Sequence, residues 1–343
     1  MTTMHMGFCF HKRAVVVCCV SLLVASINLG WVGRAEADRC PSFAPVMYLE
    51  LVGIYTDPAQ SVVDPQAEQK NAEVTRSVDD FMRYVEKAVD AGGKPNEAVL
   101  ACAYGAYKSW ALAGALTGEP PKYNRDGAAK RAQYIVGLNV LALKFKAAGS
   151  PVDGPILSWL RALNYKNMDA YLRGTNRGNL YAWSGAAAAA FGLLDHDRKA
   201  LDYQDQVWRH TIAEIRDDGT IDGEMARGRR ALIYHMFSLS ATLMLQEARR
   251  ALGYHDEPAE IARVKLLADQ IGRSLCDSRR LEERTHASQE IPGDWAYRIP
   301  IGFGDGILDA DWVRCGRPNA DLADPTLGGN ARESAAVFKK SMR

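Results

Sequence analysis

The chain has 343 residues and an almost even charge balance, with 42 Lys and Arg against 41 Asp and Glu, for a formal net charge of +1. This balance excludes the bulk basicity of a nucleic-acid-binding protein and the acidic tail of a solvating one, so recognition has to come from local sites. The length suits one large domain or two small ones.

The N-terminus has the pattern of a secretory signal peptide. Lys12 and Arg13 form a charged region, residues 14–29 are an apolar run, and Ala35-Glu-Ala37 supplies the small residues of a cleavage site. We expect residues 1–37 to be removed, which leaves a periplasmic or secreted protein without stable membrane association. The apolar run is short for a membrane span, and an uncleaved anchor is the alternative.

Four cysteines remain after the predicted cleavage, an even number for an exported protein: Cys40, Cys102, Cys276 and Cys315. One or two disulfides are expected in an oxidising compartment, and all three pairings stay open. No CxxC pair or close Cys/His cluster occurs, so the sequence predicts no metal site.

The mature chain has the pattern of a series of amphipathic helices. Apolar side chains recur three and four residues apart, and Gly or Pro separates one run from the next. The predicted helices cover residues 74–91, 96–116, 126–148, 155–172, 179–194, 197–217, 225–252 and 258–275. Residues 48–55 are a candidate extended segment. Antiparallel helix pairs with short connections predict an all-α fold, and their rhythm suits a single domain over residues 38–343, an incomplete α/α toroid around a substrate groove.

One predicted helix carries an unusual set of charges. Arg227, Arg230 and Tyr234 are spaced three and four residues apart, so a helix places all three on one face. Arg stays protonated and binds carboxylates as a planar fork, and nearby cations lower the pKa of a phenol. The stripe therefore suits an acidic substrate and a proton transfer. The alternative is a solvated helix face without a function.

Two stretches stand out for the order of their residues. The first is Asn176-Arg-Gly-Asn-Leu-Tyr-Ala-Trp-Ser-Gly185, and the second is Arg216-Asp-Asp-Gly-Thr-Ile-Asp-Gly-Glu-Met-Ala-Arg-Gly-Arg-Arg-Ala-Leu-Ile-Tyr-His235. Together they resemble the alginate lyase family of polysaccharide lyases, which are periplasmic α/α-toroid enzymes. In that family a helix begins with Asn-His-x-x-Trp, and the segment Asp-Gly-x-x-x-x-Glu-x-x-Arg-x-x-Arg-Ala-Leu-x-Tyr-His follows downstream.

The second stretch matches the family pattern closely between Asp218 and His235, and the first matches it in part. Asn179 and Trp183 keep the family's Asn-to-Trp spacing, but Leu180 stands where the family has its His. The clear similarity covers residues 173–253, and the flanks resemble the family only in helical rhythm.

The resemblance implies an exported polysaccharide lyase that cleaves a uronic-acid polymer by β-elimination. This reaction removes the C5 proton, expels the sugar oxygen at C4 and needs no cofactor. The resemblance further implies that Tyr234 is the base and acid, that Arg227 activates this Tyr or the substrate carboxylate, and that Asn179 neutralises the carboxylate. Candidate substrates are alginate or mannuronan, glucuronan, and a mixed acidic exopolysaccharide.

Five further side chains are candidate substrate contacts: Trp183, Arg230, Arg177, His235 and Trp295. Trp183 either stacks on a sugar or packs in the core beside the helix of Asn179. Arg230 either lines the groove or forms a structural pair with Glu224. Trp295 lies in a segment that combines aromatic and charged side chains, as sugar subsites often do.

Two other classes of function stay open. A non-catalytic acidic-polysaccharide-binding protein associated with exopolysaccharide export would keep the groove and lack turnover, and the change at Leu180 favours it. A glycoside hydrolase would need two carboxylates facing each other across the groove. Asp222 and Glu224 are too close together along the chain to meet that need.

Overall fold

The structure is a computed structural model that describes residues 40–90, 96–122, 124–173, 178–317 and 319–341. The predicted signal peptide and Arg177 lie outside these residues. The chain divides into two units, Met1–Ser42 and Phe43–Arg343. Residues 40–42, the described part of the first unit, have no regular secondary structure. Every element named below belongs to the second unit.

The second unit is built of helices. In chain order they are α1 (Pro65–Val89), α2 (Glu97–Ala113), α3 (Arg125–Ala147), α4 (Gly154–Arg173), α5 (Asn179–Asp195), α6 (Arg198–Glu214), α7 (Asp222–Met225), α8 (Ala231–Ala251), α9 (Pro258–Cys276), α10 (Arg279–Thr285), α11 (Arg298–Phe303), α12 (Ala310–Cys315) and α13 (Ala331–Ser341). A small antiparallel sheet of β1 (Ala323–Asp324) and β2 (Gly329–Asn330) precedes α13.

The long helices form two layers. α1, α3, α5 and α8 form an inner layer in which each helix contacts the next, and α13 packs against both α8 and α3. α2, α4, α6 and α9 form an outer layer, and each of them packs on the inner helices beside it. The prediction of an all-α fold of the α/α-toroid type is confirmed.

Small side chains allow α5 to lie at the centre of this arrangement. Ala186, Ala187 and the three alanines that follow are buried, and α5 contacts α3, α4, α6 and α8. A Cβ atom on Gly185 would come within 2.5 Å of a methyl carbon of Val207 on α6, so this close approach requires glycine. The Ala-rich α5 is therefore the central helix of the inner layer.

Two helices begin at residues that differ from the prediction. α1 begins at Pro65 instead of residue 74, because the Asp64 side chain accepts hydrogen bonds from the first turn and Pro65 occupies the first helical position. α8 begins at Ala231 instead of residue 225. Gly228 has a φ of 54°, which an α-helix does not permit, and it divides the predicted helix into the short α7, a single 3-10 turn and α8.

Cys276 and Cys315 form a disulfide that joins the end of α9 to the end of α12. It is one of the pairs that the sequence left open. Across the described ranges, no helix combines the length and the apolar character needed to cross a bilayer.

Candidate active site

A cavity of about 400 Å³ opens between the chain that precedes α1 and the inner helices α1, α3, α5 and α8. Tyr234, Arg227 and Asn179, the three predicted catalytic residues, all line it. They come from α8, from the turn before α8 and from the first position of α5. The fold therefore brings together side chains that the sequence placed in two separate stretches.

A closed loop before α1 forms one wall of the cavity. Tyr55 and Val63 pair across its neck as an antiparallel bridge. The carboxylate of Asp57 accepts hydrogen bonds from the backbone of Ser61 at 2.8 Å and of Val62 at 2.7 Å. These bonds hold the loop in the conformation that presents Tyr55 to Tyr234.

Tyr55 and Gln60 are site residues that the sequence analysis missed. The hydroxyl oxygens of Tyr55 and Tyr234 are 2.6 Å apart, although the two residues are 179 positions apart in the chain. The Gln60 side-chain oxygen accepts a hydrogen bond from Arg227. Residues 48–55 form no strand beyond the bridge at Tyr55, so the loop has no periodicity that could have revealed it.

Both arginines of the predicted stripe lie against Tyr234, although the helix that should have aligned them is interrupted. The guanidinium carbon of Arg227 is 4.4 Å from the centroid of the Tyr234 ring, and that of Arg230 is 5.8 Å away. Arg230 also donates a hydrogen bond of 3.0 Å to the Tyr55 hydroxyl. Its carboxylate neighbour is Glu290 at 3.4 Å and not Glu224, as the structural alternative had proposed.

Burial dominates the acidity of Tyr234, which is only 9% exposed. Loss of solvent raises the pKa of its phenol well above the usual value, and the hydrogen bond with Tyr55 raises it further. The charges of Arg227 and Arg230 lower the pKa, but by less. The cations lower the pKa of this phenol, as expected, but burial outweighs them, because the same fold that gathers the cations also removes the water.

Glu224 holds Asn179 in place. Its Oε1 atom accepts hydrogen bonds from the Asn179 backbone at 3.2 Å, from the Asn179 side-chain amide at 3.1 Å and from the Ser238 hydroxyl at 3.0 Å. The other oxygen of Glu224 is 3.8 Å from Arg227 Nε. An amide nitrogen has two hydrogens, so this arrangement fixes the Asn179 side chain and leaves one donor for a ligand.

The structure corrects two of the predicted substrate contacts. His235 is fully buried: its Nε2 accepts from the Ile221 N–H at 3.0 Å, and its Nδ1 donates to the Ala231 carbonyl at 2.7 Å. Burial lowers the pKa of His235, which keeps the ring neutral, and both nitrogens are occupied within the protein. Trp183 is 2% exposed and belongs to the core, so its ring is enclosed by protein and is not available to stack on a sugar.

Trp295 lies beside the cavity. It is 38% exposed, and its ring stacks on Phe237 with 4.9 Å between the centroids. Phe237 lines the cavity and contacts Tyr234 at 5.9 Å. An aromatic row therefore runs from Tyr234 to an exposed indole, which stays a candidate sugar contact.

Comparisons with known proteins show which enzymes this chain resembles. The family model described as alginate lyase matches residues 131–257, a range that contains Asn179, Arg227 and Tyr234. A polysaccharide lyase of Stenotrophomonas maltophilia is 29% identical over 304 residues, which are 85% of this chain and 89% of that protein. An alginate lyase of Pseudomonas aeruginosa is 23% identical over 277 residues, which are 75% of this chain and 74% of that protein. This chain is a polysaccharide lyase that resembles the alginate lyase family.

Solved structures show that the lyase also shares the fold of its relatives. Alginate lyase A1-III from Sphingomonas species A1 is 18% identical and has a TM-score of 0.66, with 86% of this chain and 85% of that chain covered. A variant of alginate lyase A1-III complexed with a tetrasaccharide is 19% identical, with a TM-score of 0.70 and the same coverage.

Among the described residues, the cavity is lined without an imidazole. None of the histidines in the described ranges lines it, and Leu180, at the position of the family's His, contributes an apolar side chain to the wall. The groups that remain for proton transfer near Tyr234 are the phenol itself and the Tyr55 hydroxyl. The cavity therefore offers a pair of hydrogen-bonded phenols, Tyr234 and Tyr55, with cations and an amide around them.

Proposed function

We propose that the lyase cleaves a uronic-acid polymer by β-elimination, with Tyr234 as base and acid and with Arg227 and Asn179 neutralising the substrate carboxylate. The observation that carries this proposal is the meeting of these three side chains in one cavity. The names of the relatives support it, since several are alginate lyases and one solved relative is complexed with a tetrasaccharide.

The C5 proton of a uronate is weakly acidic, because the carboxylate beside it resists further negative charge. Donors on Arg227 and Asn179 lower the free energy of the enolate-like state by holding that carboxylate. The Tyr234 phenolate takes the C5 proton, and the electrons of that bond form the C4–C5 double bond as the bond to the C4 oxygen breaks. Tyr234 then gives the proton to the leaving oxygen, which regenerates the phenolate.

The phenolate has to form before the first turnover, and the buried phenol resists this. Arg227 lies 4.4 Å from the ring and favours the anion. The Tyr55 hydroxyl, 2.6 Å from the Tyr234 oxygen, lines the cavity and can relay the proton: it takes the Tyr234 proton as it gives its own to solvent, and the guanidinium of Arg230 donates to that same hydroxyl. The arrangement supplies both a path for the proton and a compensating charge.

Because Tyr234 acts as both base and acid, the stereochemistry of the sugar that it can cleave is restricted. This phenol can take the C5 proton and protonate the C4 oxygen only when both lie on the same face of the sugar ring. Mannuronate and glucuronate have this arrangement, and guluronate has the opposite one. We therefore propose a polymer rich in mannuronate or glucuronate, with the row of Phe237 and Trp295 as a stacking surface for a neighbouring sugar.

Export to the periplasm or the medium is part of the proposal. It rests on the charged, apolar and small-residue pattern of residues 1–37. Detection of a mature protein that begins at residue 38 in the periplasmic or culture fraction would test it.

The experiment is a lyase assay on the purified mature protein. Polymannuronate, glucuronan, polyguluronate and hyaluronan are offered separately, and the ultraviolet absorbance of the unsaturated uronate is followed. Tyr234→Phe should lower the rate by about 10²–10⁴-fold, the usual contribution of general acid–base catalysis. Tyr48→Phe, on a partly exposed tyrosine outside this cavity, is the matched control.

A non-catalytic polysaccharide-binding protein is the second candidate, and the apolar Leu180 in the cavity wall is the observation that favours it. Such a protein would bind one of these polymers and produce no absorbance, and Tyr234→Phe would leave its affinity unchanged. A rise in absorbance with any of the polymers would exclude it.

A further inference from the structure

Lys130 is an unpaired cation in the wall of the catalytic cavity. It lies on α3, on the same stretch of wall as Arg125 and Gln133. Its ammonium lies over the face of the Tyr134 ring, 4.9 Å from the centroid, and forms no hydrogen bond or ion pair with any of the described residues. An ammonium offers three donors, so this side chain has unused capacity where a ligand would sit.

The carboxylates around Lys130 favour its charged form but do not pair with it. The Tyr134 hydroxyl donates to Asp79, so part of the capacity of that carboxylate is already taken. Burial lowers the pKa of Lys130, and the charges of Asp79 and Asp324 act in the opposite direction without coming within ion-pair distance. A partly buried cation without a partner is costly, and an anionic ligand removes that cost.

We propose that Lys130 binds the carboxylate of a uronate unit of the polymer and is a specificity-determining residue of this lyase. The inference rests on the proposed function. With Leu180 apolar, the cations that line the cavity among the described residues are Arg125, Lys130 and Arg227. Of these, Arg227 donates a hydrogen bond to Gln60 and faces Tyr234. Lys130 supplies positive charge to the same cavity from a different helix, as recognition of a charged polymer requires.

The test compares Lys130→Met with Lys146→Met, which removes the same charge from an exposed position on the same helix. Lys130→Met should raise KM for the polyuronate that the wild type cleaves by about tenfold, with a smaller fall in kcat, because a hydrogen bond to a charged group is lost. Lys130→Arg should recover most of the affinity, and Lys146→Met should match the wild type.

Binding measurements separate charge recognition from packing. In the Tyr234→Phe background, Lys130→Met should weaken binding of a uronate oligomer about tenfold by calorimetry. The same substitution should not change binding of the oligomer after its carboxyl groups have been reduced to alcohols.

Three results would overturn the inference. A wild-type KM in Lys130→Met, with the wild type active, would show that Lys130 binds no substrate carboxylate and would leave the proposed function intact. An equal loss of affinity for the native and the carboxyl-reduced oligomers would assign Lys130 to packing. Absence of both cleavage and binding by the wild type would overturn the proposed function and, with it, the role of Lys130.

Discussion

Replacing Arg227 by Met tests how the phenol of Tyr234 becomes a base. Burial holds the proton on this phenol, and the Arg227 charge opposes that effect. The guanidinium carbon lies 4.4 Å from the ring centroid. At a separation of about 5 Å from the phenol oxygen and an effective dielectric constant of about 20, Coulomb's law gives ~3 kcal/mol in favour of the phenolate.

This energy corresponds to about a hundredfold change in the fraction of phenolate at a given pH. Arg227→Met should therefore lower kcat/KM about a hundredfold at neutral pH, and the rate should recover as the pH is raised towards the new, higher pKa of Tyr234. The assay is the pH profile of kcat/KM, followed through the absorbance of the unsaturated product. Arg229→Met, which removes an exposed arginine two residues away, should keep the wild-type profile.

A different result would assign Arg227 to the substrate carboxylate. In that case Arg227→Met lowers the rate by the same factor at every pH, and the profile keeps its shape. Loss of Arg227 also leaves the buried Glu224 without its neighbouring cation, 3.8 Å away. The double variant Arg227→Met/Glu224→Gln removes that carboxylate charge, and a profile shift that persists in it is due to Tyr234.

Three further predictions concern the support of the site and the fold. Glu224→Ala should lower the free energy of unfolding by about 3 kcal/mol in urea denaturation, because the Asn179 amide loses the buried acceptor that orients it. The same variant should lower kcat. Unchanged stability would contradict the supporting role of Glu224. Burial is the main cause that raises the pKa of Glu86 to about 7, and two neighbouring carboxylates raise it further. Because the folded state holds this proton more tightly than the unfolded state, the protein loses stability as the pH rises from about 4.5 to 7. Glu86→Gln should then be more stable than the wild type at pH 8, by about 2–3 kcal/mol, and no more stable at pH 4; an equal difference at both pH values would count against it. Replacing Cys276 and Cys315 by Ser opens a loop of 39 residues and should lower the free energy of unfolding by about 4 kcal/mol, from the entropy of the opened loop. The measurement is the midpoint of thermal unfolding, which should fall. An unchanged midpoint would show that the bond is not formed in solution.

Several features of the lyase could be predicted because they depend on residues close together in the chain. The recurrence of apolar side chains every three and four residues predicted the long helices from α2 to α9 and the α/α-toroid type of fold. The order of residues between Asp218 and His235 predicted where the phenol and its two arginines lie, and Asn179 followed from a second short motif. Local spacing is enough for the long helices, since helix geometry fixes which neighbours share a face. The two arginines lie before α8, so their place at the site followed from the family pattern and not from a shared helix face.

The predicted starts of two helices were wrong because the apolar pattern and the backbone conformation disagreed there. The apolar rhythm continues from residue 225 into α8, so periodicity extended that helix too far. Gly228 interrupts it through a positive φ, which the hydrophobic pattern does not register. At α1 the reverse happened: the capping Asp64 and the following Pro65 mark the start of the helix, but the first strong apolar repeat comes later.

Only the tertiary structure decided what surrounds the reacting phenol. Tyr55 and Gln60 reach Tyr234 and Arg227 from a loop far away in the chain, and no spacing in the sequence encodes such a contact. His235 and Trp183 have the residue types of a sugar site, but the packing of the inner helices encloses both of them. The sequence by itself determined the long helices and the two motifs that carry the site residues. The removal of water, which raises the pKa of Tyr234, comes from the approach of separate helices and could be seen only in the fold.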